Sequence, residues 1–209
     1  MLKLHVFPPS PRAFKVLALA EHLGLPYQQC LVDFSQGDHR KPEYKSLNPN
    51  QRMPVLEEDG YVLWESHAIL QYLASKKPDS GLLPRDERER ANVTRWQCWD
   101  LAHWEPACVP LIYERMVKRL FNLGEPDSSE IAKGLSRFEV VAGILDEQLQ
   151  KHRFVAGEKL SVADFSLGAA LNVARLTGMP IEKRPAIRRW HAELSELPAW
   201  RKLMPTVPR

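Results

Sequence analysis

Two short pieces of the chain carry groups suited to holding a small anionic peptide. Between Asn48 and Ser66, the dipeptide Met53-Pro54 feeds two apolar runs, Val55-Leu56 and Tyr61 to Trp64, joined by Glu58-Asp59-Gly60. Asp-Gly between apolar runs is the strongest short-range hairpin signal. Pro54 removes one ladder donor and biases Met53 towards an extended conformation, which leaves the Met53 backbone to pair with something outside the sheet. Directly after the hairpin, Glu65-Ser66 opens a periodic run through Ala68, Ile69, Tyr72 and Leu73. The unpaired amides and positive dipole end of a helix starting there favour a carboxylate. The same residues also describe a tight approach to a hairpin and an ordinary helix cap.

A third piece supplies a hydroxyl. Ser10-Pro11 reads as an N-cap with proline at the first helical position, ahead of Val16, Leu19, Ala20 and Leu23 at helical spacing. A hydroxyl there can donate to a thiolate while the helix dipole favours the same negative charge, or it can simply cap the helix. Three cysteines, Cys30, Cys98 and Cys108, show no CxxC spacing, which argues against a disulfide framework and against zinc. None sits where a nucleophile is expected, so all three read as buried bystanders, and no metal site is expected.

The elements that must carry these groups follow from periodicity. Leu2 to Phe7 alternates as a strand, Pro8-Pro9 stops it, a helix of about a dozen residues ends at Gly24, and Tyr27 to Val32 supplies a second strand. A strand-helix-strand unit of this size forms a right-handed parallel crossover. The polar segment Asp33 to Lys45 follows, then the hairpin and a helix from Glu65 to about Lys76, which gives the order βαβ, loop or short helix, ββα. Lys77 to Gly81 is rich in breakers, and beyond it no strand is expected. A long helical run passes through Trp96, Trp99, Leu111 and Leu120 with a bend expected near Pro106 or Pro110. An antiparallel helix from about Ser128 to Lys151 comes next. Ser161 and Asp164 occupy the N-cap and N3 places of a capping box, with Leu160 and Phe165 as its staple, a structural motif. The fold class is an α/β thioredoxin-like domain over residues 1–77, a linker over 78–85, and an all-helical domain over 86–209.

Composition narrows the function. Of 209 residues, 44% are hydrophobic and 26% charged, as in an ordinary globular protein, so disordered and fibrous classes drop out. The net charge of +3 is shared about evenly between the two halves, which gives nucleic-acid binding no support. Met1 to His5 does not read as a secretory signal, and the uncharged stretch Phe165 to Ala174 falls far short of the ~20 residues of a membrane span. A soluble cytoplasmic protein without membrane contact is expected.

Taken in order, Met53-Pro54, the hairpin, Glu65-Ser66 and the hexad Leu160 to Phe165 resemble the glutathione transferase family over nearly the whole chain. The stretch Ser10-Pro11-Arg12-Ala13-Phe14-Lys15-Val16 is similar to the serine-type, theta- and phi-like members, in which such a Ser activates glutathione. The tyrosine type would need a Tyr where Phe7 stands, and the cysteine type a Cys at position 10. The resemblance implies Ser10 as the catalytic residue and a cis bond at Met53-Pro54. It implies glutathione held by His39 and Arg52 at the glycyl carboxylate, by the Met53 backbone beside Pro54, and by Glu65 and Ser66 at the γ-glutamyl group. Pro9, Trp104, Cys108, Ile112 and Tyr113 would line the electrophile pocket. The implied activity is conjugation of the glutathione thiolate to a small hydrophobic electrophile by a homodimer, with Trp96, Trp99 and Leu101 offering interface surface. Other glutathione-dependent chemistry (dehalogenation, isomerisation, peroxide reduction) and a non-catalytic glutathione-binding or assembly module on the same fold stand as alternatives.

Overall fold

The computed structural model describes residues 1–204. Strands β1 (Leu2–Val6), β2 (Gln28–Leu31), β3 (Val55–Glu58) and β4 (Tyr61–Trp64) form one sheet in the order β2-β1-β3-β4. β1 runs parallel to β2, with Lys3 opposite Gln28, and antiparallel to β3, with Leu4 opposite Leu56. Helix α1 (Pro11–His22) makes the crossover between β1 and β2, α2 (Pro42–Leu47) precedes the hairpin, and α3 (Ser66–Ser75) follows it. The β3–β4 turn places Asp59 at φ 49° and Gly60 at φ 86°, the left-handed pair that matches the twist of a two-residue hairpin.

Leu4, Val6 and Leu56 of the sheet are buried in one core with Ile69 and Leu73 of α3 and with α1, which turns its other side to the helices that follow. Those begin after a tight turn at Pro78–Ser80. The first is one long rod in three pieces: α4 (Glu87–Trp99), α5 (Glu105–Ile112) and α6 (Lys118–Phe121). Wide π turns at Asp100–Trp104 and Tyr113–Val117 join the pieces. The helix continues through both Pro106 and Pro110, where a bend was expected, with the wide turns beside them. Pro106 lacks an N–H and crowds the carbonyl of Ala102, and the wider turn holding Ala102 absorbs both effects without a break. Pro110 lies inside α5, and the second wide turn begins three residues later.

Helix α7 (Ser128–Lys151) is capped by Asp127 and packs along α5. Helix α8 (Val162–Gly168) is buried along its whole length. The expected capping box is present: Ser161 Oγ accepts from Ala163 N, and Asp164 Oδ2 accepts from Ser161 N at 2.8 Å. Asp164 also takes Val155 N and Trp190 Nε1, so it ties α8 to a loop and to α10 (Pro185–Ser195). Helix α9 (Ala174–Thr177) precedes α10, and α11 (Pro198–Leu203) completes the described chain. No described helix is long and apolar enough to cross a membrane.

Candidate active site

Ser10 closes the loop between β1 and α1. Its N–H donates to Phe7 O at 2.9 Å and its carbonyl accepts from Phe14 N at 2.9 Å, the backbone pattern of an N-cap. Its side chain makes no capping hydrogen bond, so the simple cap reading does not describe it. Pro11 has no N–H to satisfy, and the Ser10 hydroxyl stays available on the wall of an apolar cavity of about 200 Å³.

Beside that cavity runs a polar trough of about 580 Å³, walled by Arg12, Asn48, Arg52, Met53, Pro54, Glu65, Ser66 and Glu105. The Met53-Pro54 bond is cis. Two donors fix this loop from behind: Tyr44 Oη and Asn48 Nδ2 each give a 2.8 Å bond to Arg52 O. Among the described residues, no side chain or loop partner takes the Met53 backbone N–H or C=O. Glu65 sits at φ 72°, a conformation that costs a non-glycine residue of order 1–3 kcal/mol and persists where surrounding structure imposes it. It precedes α3 without a side-chain cap bond, which leaves its carboxylate to the trough beside the buried Ser66.

Arg12, Met53, Glu105 and Val109 border both spaces. Arg12 Nε donates to Glu105 Oε1 at 2.7 Å. Burial alone would push the Glu105 carboxyl up, but the Arg12 bond, with Lys15 and His67 nearby, carries it below the ordinary carboxylate value. Behind them lies a buried cluster in which Lys15 Nζ and His67 Nε2 both reach Asp100 Oδ2, at 3.2 and 2.7 Å. Burial, and then the Lys15 charge, pull the His67 imidazole below its ordinary pKa.

Five residues expected at a peptide site, Arg52, Met53, Pro54, Glu65 and Ser66, thus come together. His39 stands outside that lining. It lies in the turn Asp38–Arg40, with its ring stacked on Phe34 at 4.2 Å and Nδ1 buried without a partner among the described residues. Of the residues expected at an apolar pocket, Pro9, Cys108 and Ile112 line the cavity and two do not. Trp104 is fully buried, donates from Nε1 to Leu167 O at 3.1 Å and packs on Phe138. Tyr113 turns outward. The cavity stripe of the rod is Glu105, Val109, Ile112, Met116 and Leu120, at helical spacing, so Tyr113 lies one position off it and Trp104 faces the core.

Sequence reasoning missed Arg12, Asn48, Tyr44, Glu105 and the aromatic walls Phe7, Phe34 and Phe121. Asn48-Pro49 was a legible turn signal, whereas Arg12 and Glu105 lie 93 positions apart and carried none. The cysteines also differ from expectation. Cys98 is exposed, Cys30 half-buried, and only Cys108 is buried, on the cavity wall. Burial, then the Asp100 and Glu105 charges, push the Cys108 thiol well above its ordinary pKa, which keeps it protonated. No group of His, Cys, Asp and Glu suited to a metal ion occurs among the described residues.

Two family models match the chain: "Glutathione S-transferase, N-terminal domain" over residues 1–75 and "Glutathione S-transferase, C-terminal domain" over 103–198. Glutathione S-transferase D7 of Drosophila melanogaster is 30% identical over 95% of this chain and 87% of its own length. Glutathione S-transferase hmp2 of Hypomyces subiculosus is 34% identical over 90% of this chain and 91% of its own. The crystal structure of glutathione transferase F7 from Populus trichocarpa superposes with a TM-score of 0.89 at 27% identity, covering 97% of each chain.

Proposed function

Because the chain belongs to the glutathione S-transferase family, we propose that the Ser10 hydroxyl donates to the glutathione thiolate at the junction of the polar trough and the apolar cavity. The chain is a glutathione transferase with glutathione as its co-substrate. The observation that carries the Ser10 assignment is an N-cap hydroxyl free of any capping bond on the wall of an apolar space sized for a small electrophile, which shares Arg12, Met53, Glu105 and Val109 with a polar space sized for a tripeptide.

In this reading, Arg52 meets the glycyl carboxylate, with His39 beside it. The unpaired Met53 backbone, presented by Pro54, pairs with the cysteinyl unit, and Glu65 and Ser66 hold the γ-glutamyl ammonium and carboxylate. Such anchoring leaves the thiol under the Ser10 hydroxyl and the positive end of α1. Lowering a thiol from ~8.5 by about two units corresponds to roughly 2.7 kcal/mol. A small hydrophobic electrophile then occupies the cavity bounded by Pro9, Cys108 and Ile112, and holding it beside the sulfur supplies the remaining rate enhancement.

The same reading assigns residues 1–77 to the glutathione-binding domain, 78–85 to a linker and 86–209 to the helical domain, of which 205–209 lie outside the described residues. It makes the protein a homodimer, supported by the exposed Leu101, Val140 and Ile144 on the long helices. It also makes the protein cytoplasmic, supported by three unpaired cysteines. The test of the site is the ultraviolet absorbance of thiolate in the glutathione-loaded protein across pH. A midpoint below that of free glutathione is expected in the native protein and one near the free value in Ser10→Ala. A native midpoint equal to that of free glutathione would overturn the assignment.

A further inference from the structure

Resting on the reading of Ser10 above, the geometry points to Arg12 as a second catalytic residue, an oxyanion donor that suits this cavity to α,β-unsaturated carbonyl electrophiles. The apolar cavity is walled by Phe7, Phe34, Ile112, Met116, Leu120 and Phe121, and among the described residues the only charged side chains on it are Arg12 and Glu105. Arg12 stands two residues after Ser10, in the first turn of α1. Its guanidinium is anchored through Nε to Glu105, and among the described residues no acceptor engages Nη1 or Nη2. The Arg12 side chain is 42% exposed and that of Glu105 14%, so the more buried carboxylate anchors a guanidinium that lines both the apolar cavity and the polar trough. Cys108, protonated, supplies no competing charge.

A guanidinium is planar, permanently charged and rich in donors, and Glu105 fixes the orientation of this one. Such a group matters for electrophiles that gather negative charge on an atom away from the new bond. In conjugate addition, the thiolate lone pair forms a C–S bond to the β-carbon and the C=C π pair moves to leave an enolate with its charge on oxygen. A water molecule then protonates the α-carbon, and the hydroxide it leaves is neutralised by the proton that the glutathione thiol shed to solvent. In displacement on a benzylic halide, by contrast, the carbon–halogen bond breaks and the charge leaves with the halide. Arg12 donates to the enolate oxygen in the first reaction and has no fixed target in the second.

The test compares one phenyl-substituted enone with benzyl chloride, both with the glutathione-loaded enzyme. In Arg12→Gln, the ratio of kcat/KM for enone over halide falls about 100-fold, the lower end of the scale of a lost oxyanion donor. The ratio does not depend on how much of the variant is folded. The double variant Arg12→Gln/Glu105→Gln, which leaves no unpaired buried carboxylate, shows the same fall. An unchanged ratio, or loss of both activities in a folded variant that still binds glutathione, would overturn the proposal by placing Arg12 in the thiolate step common to both reactions. A native enzyme with a lowered thiolate midpoint and no enone turnover would also overturn it while leaving the Ser10 assignment intact.

Discussion

His67 and Asp100, 33 positions apart, are joined by a 2.7 Å bond from Nε2 to Oδ2 in a site from which solvent is almost excluded. Lys15 reaches the same oxygen, and the Lys15 and Asp100 side chains are only 3% and 2% exposed. α1, α3 and the long rod therefore meet on one carboxylate beneath the polar trough. Replacing Asp100 by Asn leaves Lys15 as a buried charge without a counter-ion, at a cost of about 3–5 kcal/mol in urea unfolding. Lys15→Met/Asp100→Leu is expected to recover most of that loss, and a cost below about 1 kcal/mol for Asp100→Asn would show that the charges reach water.

Ser10→Ala removes a hydrogen bond to a charged group, worth ~1.5–3 kcal/mol, and is expected to slow turnover at neutral pH by roughly 10- to 150-fold. Glutathione affinity changes less, because other residues hold its charged ends. The defect shrinks as pH rises, since hydroxide then supplies the thiolate. Identical pH profiles of kcat/KM in the two proteins would make Ser10 a backbone cap and nothing more.

Gly168 ends the buried helix α8 against three larger side chains. A Cβ there would stand 2.5 Å from Leu194 Cδ1 and 3.2 Å from Trp200 Cη2. Gly168→Ala is expected to cost about 1–3 kcal/mol through overpacking. Thermal unfolding decides it, and a gain in midpoint, as helix propensity alone would give, contradicts the packing argument.

Two buried groups near Trp190 and Trp200 bend the acid stability in opposite directions. Burial pushes the Asp164 carboxyl up to about 6, against the hydrogen bonds it receives, so its contribution is fullest below the ordinary 3.8 and is lost as pH rises through 6. His191, which bonds Asn172, is pulled by burial from 6.5 down to about 4, so its contribution is present above 6.5 and is lost as pH falls through 4. Each shift corresponds to about 3 kcal/mol. In His191→Gln only the Asp164 slope remains, so the stability of the variant relative to the native protein is expected to fall by about 3 kcal/mol between pH 4 and 6.5. A constant difference across that window in urea titrations would refute the assignment of His191.

Sedimentation equilibrium tests the dimer. Leu101 is 45%, Val140 65% and Ile144 46% exposed, and Trp99 stands beside Ile144 in a shallow groove. A mass of two chains at micromolar concentration is expected, lowered by Val140→Glu if that side chain is covered in the assembly.

The sheet and its helices were legible because each rests on a local signal. Asp59-Gly60 demanded a hairpin, Pro8-Pro9 and Gly24 bounded α1, and the spacing of Ser161 and Asp164 announced the start of α8. Half of the site was legible for the same reason, since Met53 to Ser66 is continuous in sequence. The other half depends on side chains that meet only after the rod has packed on α1. Arg12 with Glu105 and Lys15 with Asp100 are pairs of that kind, and no local pattern marks them. Trp104 and Tyr113 were misplaced because aromatic type does not say which face of a helix a residue occupies, and the π turns shift that face in a way periodicity of 3.6 does not anticipate.

Those two wide turns also set the terms on which this cavity can change over evolutionary time. A π turn holds one more residue than an α-helix needs, so it behaves as an insertion that the rod has absorbed. Deleting a single position within Tyr113–Val117 would return that turn to ordinary spacing and leave the faces presented downstream nearly where they are. Leu120 and Phe121 would stay on the wall and the change would fall on Met116 and Val117 beside them, with Ser10 and the polar trough untouched. Length variation in one helix can therefore reshape this cavity locally, a route separate from point substitution and independent of the glutathione half of the molecule.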